Sequence, residues 1–318
     1  MTPARTLIET RIESGSGPGL PDLTARIGDT PLVPIGGLDG VPDAVAVLGK
    51  AEWMNPGGSV KDRAAWGIVR AAEAGGALRP GRILLDATSG NTGIAYAWIG
   101  AARGFAVTLC VPANINAERR RLLAALGAEL VLTDAMDGTD GAIREARRLA
   151  ASDRERFYYA DQYANPANWQ AHYAGTAEEI WRQTEGRVTH LVAGIGTSGT
   201  MVGTARRLRA LNPSLVAIAV QPDSPLHALE GLKHLASAMT PPIYDPAAHQ
   251  RTVVVPSEEA IDMVKRQARR GLLLGWSAGA ALVAAARVAR GLAHGVVVAI
   301  LPDGAERYLS EPLWREES

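Results

Sequence analysis

The chain has 318 residues, 47% hydrophobic and 21% charged, a globular balance long enough to bury a core without staples. Its 33 Lys plus Arg cancel 33 Asp plus Glu, which argues against nucleic acid as a partner, since phosphate-backbone affinity needs a net basic face. The single cysteine excludes an intrachain disulfide and any thiolate metal cluster, and no metal site is expected.

From the amino end, residues 1–25 include a Ser/Gly/Pro-rich stretch at 13–19 and are expected to form a loosely held arm. Arg5, Glu9, Arg11 and Glu13 interrupt this segment, so no secretory leader is expected there. Beyond Ile27, apolar β-branched runs at 45–48, 83–86, 107–111, 130–133, 157–160, 188–193, 215–220 and 296–301 read as strands. Helical patterns lie between them, at 117–126, 141–150, 200–211 and 258–269. Strands that are apolar throughout and alternate with helices imply parallel sheets covered on both faces. The alternation comes in two blocks, one before about Tyr163 and one after Val188. The expectation is an α/β protein of two doubly wound, mostly parallel sheets with a ligand cleft between them. Residues 51–163 would form a smaller unit, and 1–50 with 164–318 a larger one. Cys110 falls inside a strand pattern and reads as a buried, inert thiol. The uncharged, glycine-containing stretch 271–286 is too short to span a bilayer, so a cytoplasmic protein without a membrane partner is expected.

Four segments carry chemistry. In the run Asn55-Pro-Gly-Gly-Ser-Val-Lys61-Asp-Arg63, Pro and two Gly mark a turn, and Ser59 reads as the N-cap of a helix through Ala71. That puts Lys61 in a first helical turn, where the helix dipole disfavours an ammonium and lowers its pKa, as a Schiff-base or proton-transfer lysine requires. Thr88-Ser89-Gly90-Asn91-Thr92-Gly93 joins a strand to a helix and offers hydroxyls, an amide and unpaired N–H donors, a site for a carboxylate or phosphate. Gly194-Ile195-Gly196-Thr197-Ser198-Gly199-Thr200 satisfies G-x-G-x-x-G, with Asp223 24 residues beyond Gly199, so an NAD-dependent dehydrogenase is a rival reading. Three hydroxyls in that turn suit a terminal monophosphate better than a pyrophosphate. Finally, Gly275-Trp276-Ser277-Ala278-Gly279-Ala280 reads as a loop leading into an alanine-rich helix, with Ser277 able to face a small ligand.

Together, from Ile27-Gly-Asp-Thr-Pro-Leu32 to Asp303-Gly-Ala-Glu-Arg-Tyr-Leu309, these segments resemble the cysteine synthase family, the fold-type II (tryptophan synthase β-like) pyridoxal-phosphate enzymes, and most of all the cysteine synthase B subgroup. The stretches Asp161-Gln162-Tyr163-Ala-Asn-Pro166, His172-Tyr173 and 183–190 read like that subgroup. The resemblance implies pyridoxal 5′-phosphate as cofactor. It makes Lys61 the catalytic, cofactor-bearing lysine and places Asn91 near the cofactor's 3′ oxygen. Gly196, Thr197, Ser198, Gly199 and Thr200 become the phosphate cup, and Ser277 the partner of the pyridine nitrogen. Thr88, Ser89, Gly90, Thr92 and Gln162 become the carboxylate site of the substrate. The implied reaction is β-replacement through an α-aminoacrylate, turning O-acetyl-L-serine and sulfide or thiosulfate into L-cysteine. O-phosphoserine sulfhydrylase and cystathionine β-synthase-like chemistry are the alternatives. Phosphoserine-using relatives carry an arginine near the position of Asp223, so the acid here counts against a phosphate leaving group. Lys233-His234 read equally as an anion contact and as solvated helix-surface charges. A homodimer is implied.

Overall fold

The computed structural model describes residues 22–88, 90–311 and 314; Ser89 and most of the expected amino-terminal arm lie outside them. In chain order the elements begin with β1 (Leu32–Pro34), β2 (Val45–Ala51), α1 (Lys61–Ala74), β3 (Ile83–Ala87) and α2 (Asn91–Arg103). Then come β4 (Val107–Pro112), α3 (Ala117–Ala125), β5 (Glu129–Thr133), α4 (Gly138–Ser152), β6 (Phe157–Tyr159), α5 (Pro166–Ala171) and α6 (Ala177–Gln183). The chain continues through β7 (His190–Gly194), α7 (Gly199–Leu211), β8 (Val216–Pro222), β9 (Arg251–Val255), α8 (Ser257–Ala268), α9 (Trp276–Ala289) and β10 (Gly295–Leu301).

These strands form two sheets. One is four-stranded in the order β5-β4-β3-β6, parallel throughout. The other has the order β1-β2-β10-β7-β8-β9, parallel except for β1 on β2. Ligands of such sheets gather at the carboxyl ends of strands where the order reverses. In the smaller sheet the reversal lies between β3 and β6, so residues 88–93 meet residues 160–163. In the larger it lies between β10 and β7, so the segments after β2, β7 and β10 meet. Strand order thus brings the segments after β2, β7 and β10 together on one sheet, and 88–93 together with 160–163 on the other.

Each sheet buries both faces, as apolar parallel strands demand. Leu84, Leu109, Ile68 and Ile99 fill one side of the smaller sheet, and Leu85, Cys110 and Ile143 the other. Val192, Val297 and Leu282 lie on one side of the larger sheet, and Leu191, Val298 and Ile180 on the other. The alanine-rich α9 is almost wholly buried, and its small residues allow that: a β-carbon on Gly279 would stand 2.3 Å from the Ala260 carbonyl of α8. Cys110 is buried, and desolvation pushes its thiol up to about 12.

Some expectations need correction. The strands β1 and β9 are additional to those read from sequence. Of the segment read as an arm, the described part, residues 22–25, is ordered: Leu23–Arg26 forms a 3-10 turn capped by the Asp22 carboxylate. Helix α1 begins at Lys61 and runs to Ala74; its N-cap is Val60, although the Ser59 hydroxyl still accepts from the Lys61 N–H at 3.3 Å. Ser277 stands in the first turn of α9 rather than in a loop. Among the described residues, no helix is long and apolar enough to cross a membrane.

Candidate active site

Lys61 opens α1 because the preceding turn is pinned. Gly58 takes φ +77°, a left-handed conformation that favours glycine, and its N–H donates to the Asn55 carbonyl at 2.8 Å. Ser59 bridges Asp303, and the Val60 N–H donates to the Pro302 carbonyl at 2.8 Å, which ties the turn to the end of β10. Two residues into the helix, Arg63 is held by the buried Glu52 at 2.6 Å and by Glu179 at 2.6 Å. Glu179 also takes Lys50 at 2.7 Å, and Thr30 donates to Glu52 at 2.7 Å. The start of α1 is thereby locked to β2, α6 and the segment before β1. Desolvation pulls the Lys61 ammonium below its ordinary range, with the negative charges of Asp303 and Glu52 pushing back.

On one side of Lys61 lies the turn into α2. Gly90 caps this helix; its own N–H donates to Thr88 Oγ1 at 3.2 Å, and the Gly93 N–H donates to the Gly90 carbonyl at 3.1 Å. Among the described residues the Asn91 and Thr92 N–H groups meet no acceptor, which leaves them for an anion. Gln162 is buried behind the turn: its Nε2 donates to the Ala87 carbonyl at 2.8 Å, and its Oε1 accepts from Thr92 at 2.7 Å. Asp86 supports both strand ends, accepting from the Ala87 N–H at 2.8 Å and the Gln162 N–H at 3.2 Å. Burial pushes this carboxyl up to about 7. Asp161 sits at φ +43°, a strained conformation for a non-glycine residue that turns the chain so that Gln162 points inward.

On the other side lies the turn from β7 into α7. A β-carbon on Gly196 would stand 2.3 Å from the Gly231 carbonyl, and one on Gly199 2.0 Å from Asn168 Oδ1. Ser198 takes φ +73°, and among the described residues its buried hydroxyl has no hydrogen-bond partner. Thr197 Oγ1 accepts from Asn168 Nδ2 at 3.0 Å. Thr200 Oγ1 lies 3.2 Å from His172 Nε2, whose ring sits in a π turn and contacts Thr176 at 2.9 Å through Nδ1. Burial pulls His172 down to about 3, so it is neutral at ordinary pH.

A cavity of about 120 Å³ brings Lys61 together with Thr88, Gly90, Asn91, Thr92 and Gln162. An adjoining pocket joins Lys61 and Asn91 to Gly196, Thr197, Ser198, Thr200 and Ser277. Gly199 lies behind this lining, excluded from it by its contact with Asn168. Both ends of the Asn91 amide are engaged: Nδ2 donates to Asp303 at 2.6 Å, and Oδ1 accepts from Arg307 at 2.7 Å. The rival reading of the glycine loop loses its acid, since Asp223 is exposed just past β8 and lines neither pocket. The same placement removes Asp223 as an argument about the leaving group. Lys233 and His234 part company. Lys233 lines the cavity from an irregular segment, not a helix surface, 3.9 Å from Asp140 and 5.1 Å from the Tyr163 ring. His234 turns to Ser237.

Arg119, Glu230 and Tyr308 also line the cavity. Sequence reasoning gave Arg119 and Glu230 no role, since neither carries a local motif, and met Tyr308 only as part of the 303–309 segment. A larger groove of 460 Å³ between α8 and α9 is lined by charged side chains and shares no residue with the pockets around Lys61.

The residues around Lys61 fit pyridoxal phosphate. A long helix N-terminus with an unpartnered buried hydroxyl and two sterically required glycines suits a phosphate. A desolvated amine stands beside it, and Ser277 lines the same pocket.

Comparison with known proteins agrees. Residues 23–303 match the family model "Pyridoxal-phosphate dependent enzyme". The chain is 46% identical over 298 residues to a cysteine synthase of Aquifex aeolicus, covering 92% of this chain and 91% of that one. It is 40% identical to cysteine synthase B of Pseudomonas aeruginosa, covering 92% and 97%. The crystal structure of a cysteine synthase from Entamoeba histolytica superposes with a TM-score of 0.88 at 32% identity, covering 98% and 96%.

Proposed function

The chain belongs to the pyridoxal-phosphate dependent enzyme family and forms cysteine by β-replacement; from that premise we propose which residues do the work and on which substrates. Pyridoxal 5′-phosphate, when bound, supplies an aldehyde for amines and an electron sink for the substrate α-carbon. Lys61 carries it. Gly196, Thr197, Ser198, Gly199 and Thr200 hold its phosphate through backbone N–H groups, hydroxyls and the α7 dipole, beside a neutral His172 that brings no counter-charge. Ser277 offers the ring nitrogen a hydroxyl, a neutral partner that does not force protonation. Asn91, whose Nδ2 keeps a second hydrogen beyond the one given to Asp303, would donate to the ring oxygen.

Thr88, Gly90, Thr92 and Gln162 bind the substrate carboxylate, with Ser89 in the same turn. Fixing that group fixes the direction of the α C–H bond toward Lys61, a positioning effect. Once free, Lys61 Nζ takes the α-proton, the β-substituent leaves, a sulfur nucleophile adds at the β-carbon, and Lys61 returns a proton to the α-carbon. Desolvation lowers the pKa of this amine, which favours the neutral form that a base needs. The observation that supports this reading is the enclosure of a desolvated Lys61 between the turn at 88–93 and the turn at 194–200.

The donor is O-acetyl-L-serine. Among the described residues, the two other cations of the cavity each face a carboxylate, Arg119 with Glu230 and Lys233 with Asp140, so no uncommitted pair among them awaits a phosphate leaving group. Lys233, the more loosely held, is the residue to meet an anionic sulfur donor such as thiosulfate. Residues 51–163 act as the smaller unit, and 1–50 with 164–318 as the larger, a division supported by a sheet built wholly from β3–β6. A cytoplasmic homodimer fits the family and the prevalence of two-fold assemblies. The test is turnover by the cofactor-loaded protein of O-acetyl-L-serine against O-phospho-L-serine, each with sulfide and with thiosulfate. Faster turnover of the phosphate ester overturns the donor, and no cysteine from any combination overturns the reading.

A further inference from the structure

We propose that Arg119 is a positioning residue for the amino-acid substrate: clamped by Glu230 and Tyr308 across the mouth of the cavity, it holds the carboxylate turn closed. The inference rests on the β-replacement reading of the same site. Arg119 belongs to α3 on the four-stranded half, where the Asn116 side chain fixes the helix start by accepting its backbone N–H at 2.9 Å. Glu230 belongs to the connection between β8 and β9 on the six-stranded half. The two side chains form an ion pair, and Arg119 is 4% exposed against 36% for Glu230. The guanidinium carbon also lies 5.4 Å from the centre of the Tyr308 ring. That ring's hydroxyl donates to Asp303 at 2.6 Å, the carboxylate that also receives Asn91.

The pair sits directly over the turn it would hold. A β-carbon on Gly90 would stand 3.8 Å from Arg119 Nη1 and 4.0 Å from Glu230 Oε1. Further along α3, the buried Leu123 reaches the start of α2, 3.9 Å from where a β-carbon on Gly93 would lie. A tilt of α3 therefore carries the carboxylate turn with it. A charged pair shielded on one side and wetted on the other is strong enough to bias that tilt and weak enough to open in each turnover.

The experiment compares cofactor-loaded wild type with Glu230→Gln and Glu230→Asp. It reads KM for O-acetyl-L-serine at saturating sulfide and the calorimetric Kd of L-serine, which needs no turnover. Glu230→Gln is expected to raise both by about tenfold, with kcat changed less. Wild-type affinity should weaken between about 50 mM and about 500 mM salt, and the Gln variant should lose that response, because only a charged pair is screened. Glu230→Asp should recover most of the affinity and the salt response, whereas a merely structural role would show instead as a fall in unfolding midpoint. Equal Kd values for wild type and Gln variant, or equal salt responses, overturn the clamp. Should the Gln variant not fold, the salt response of wild type against the Asp variant decides. A wild type that binds L-serine but converts no O-acetyl-L-serine refutes the functional reading and still leaves the clamp judged by calorimetry.

Discussion

The two turns that flank Lys61 are built for different work. The turn at 194–200 is packed solid: Gly196 and Gly199 have no room for a β-carbon, and Ser198 is held in a left-handed conformation. The turn at 88–93 is looser at its tip, where a β-carbon on Gly90 would find its nearest neighbour 3.8 Å away. A resident cofactor rewards a preformed grip, whereas a substrate that enters and leaves each cycle needs a turn with play. The groups behind them differ too. His172, behind the first, refuses a proton, and Asp86, behind the second, prefers one. A similar chain geometry, strand to helix N-terminus, is packed throughout in one turn and open at the Gly90 tip of the other, although a β-carbon on Gly93 would still stand 2.8 Å from Thr88.

The sharpest way to break the rigid side is to cut its anchor. Arg63→Met leaves Glu52 buried without its cation and should cost about 3–5 kcal/mol in chemical denaturation. A loss under about 1 kcal/mol would mean that this network does not hold Lys61 in place. Next, Gly199→Ala forces a carbon against Asn168 and should cost about 1–3 kcal/mol and weaken cofactor retention. Gly90→Ala should stay within about 0.5 kcal/mol. Equal effects would erase the contrast between the turns.

Acid and base should separate the two halves. The native pKa of His172 lies below its unfolded value, so its contribution is present above about 6.5 and fades as pH falls toward about 3. The native pKa of Asp86 lies above its unfolded value, so its contribution is complete below about 4 and fades as pH rises through about 7. Hence Asp86→Asn should gain unfolding midpoint relative to wild type between about pH 4 and pH 7, by a free energy on the order of 1–3 kcal/mol. A pH-independent difference would mean that Asp86 stays ionised in the fold. The smallest effect belongs to Cys110. Its buried thiol should resist a disulfide reagent in the native protein and react on unfolding, and rapid native labelling would contradict its place in the core.

Much of this was legible in the sequence because parallel strands, buried on both faces, announce themselves as apolar runs. The glycine turns were legible too, since tight strand-to-helix connections demand small residues. β1 was not, being three residues long and ending in Pro34, with a register set by a distant partner. β9, Arg251-Thr-Val-Val-Val255, carried the β-branched signal but was overlooked in a long irregular connection. Arg119 and Glu230 were illegible, and the contact Tyr308 makes was too, for a deeper reason. An ion pair and a ring contact between residues 111 or more positions apart leave no local periodicity, and only the tertiary fold brings them together. Lys233 was seen, yet its direction depends on a loop whose path no pattern specifies.

The central claim is that one amine, Lys61, carries the cofactor. The chain has four lysines, at 50, 61, 233 and 265, which makes the test clean. Lys50 is tied to Glu179, Lys265 lies on the remote α8 groove, and Lys233 shares the cavity with Lys61. Borohydride reduction of the cofactor-loaded protein, followed by peptide mapping, should place the label on the peptide bearing Lys61. A label on Lys233, or none on any lysine, would contradict the account.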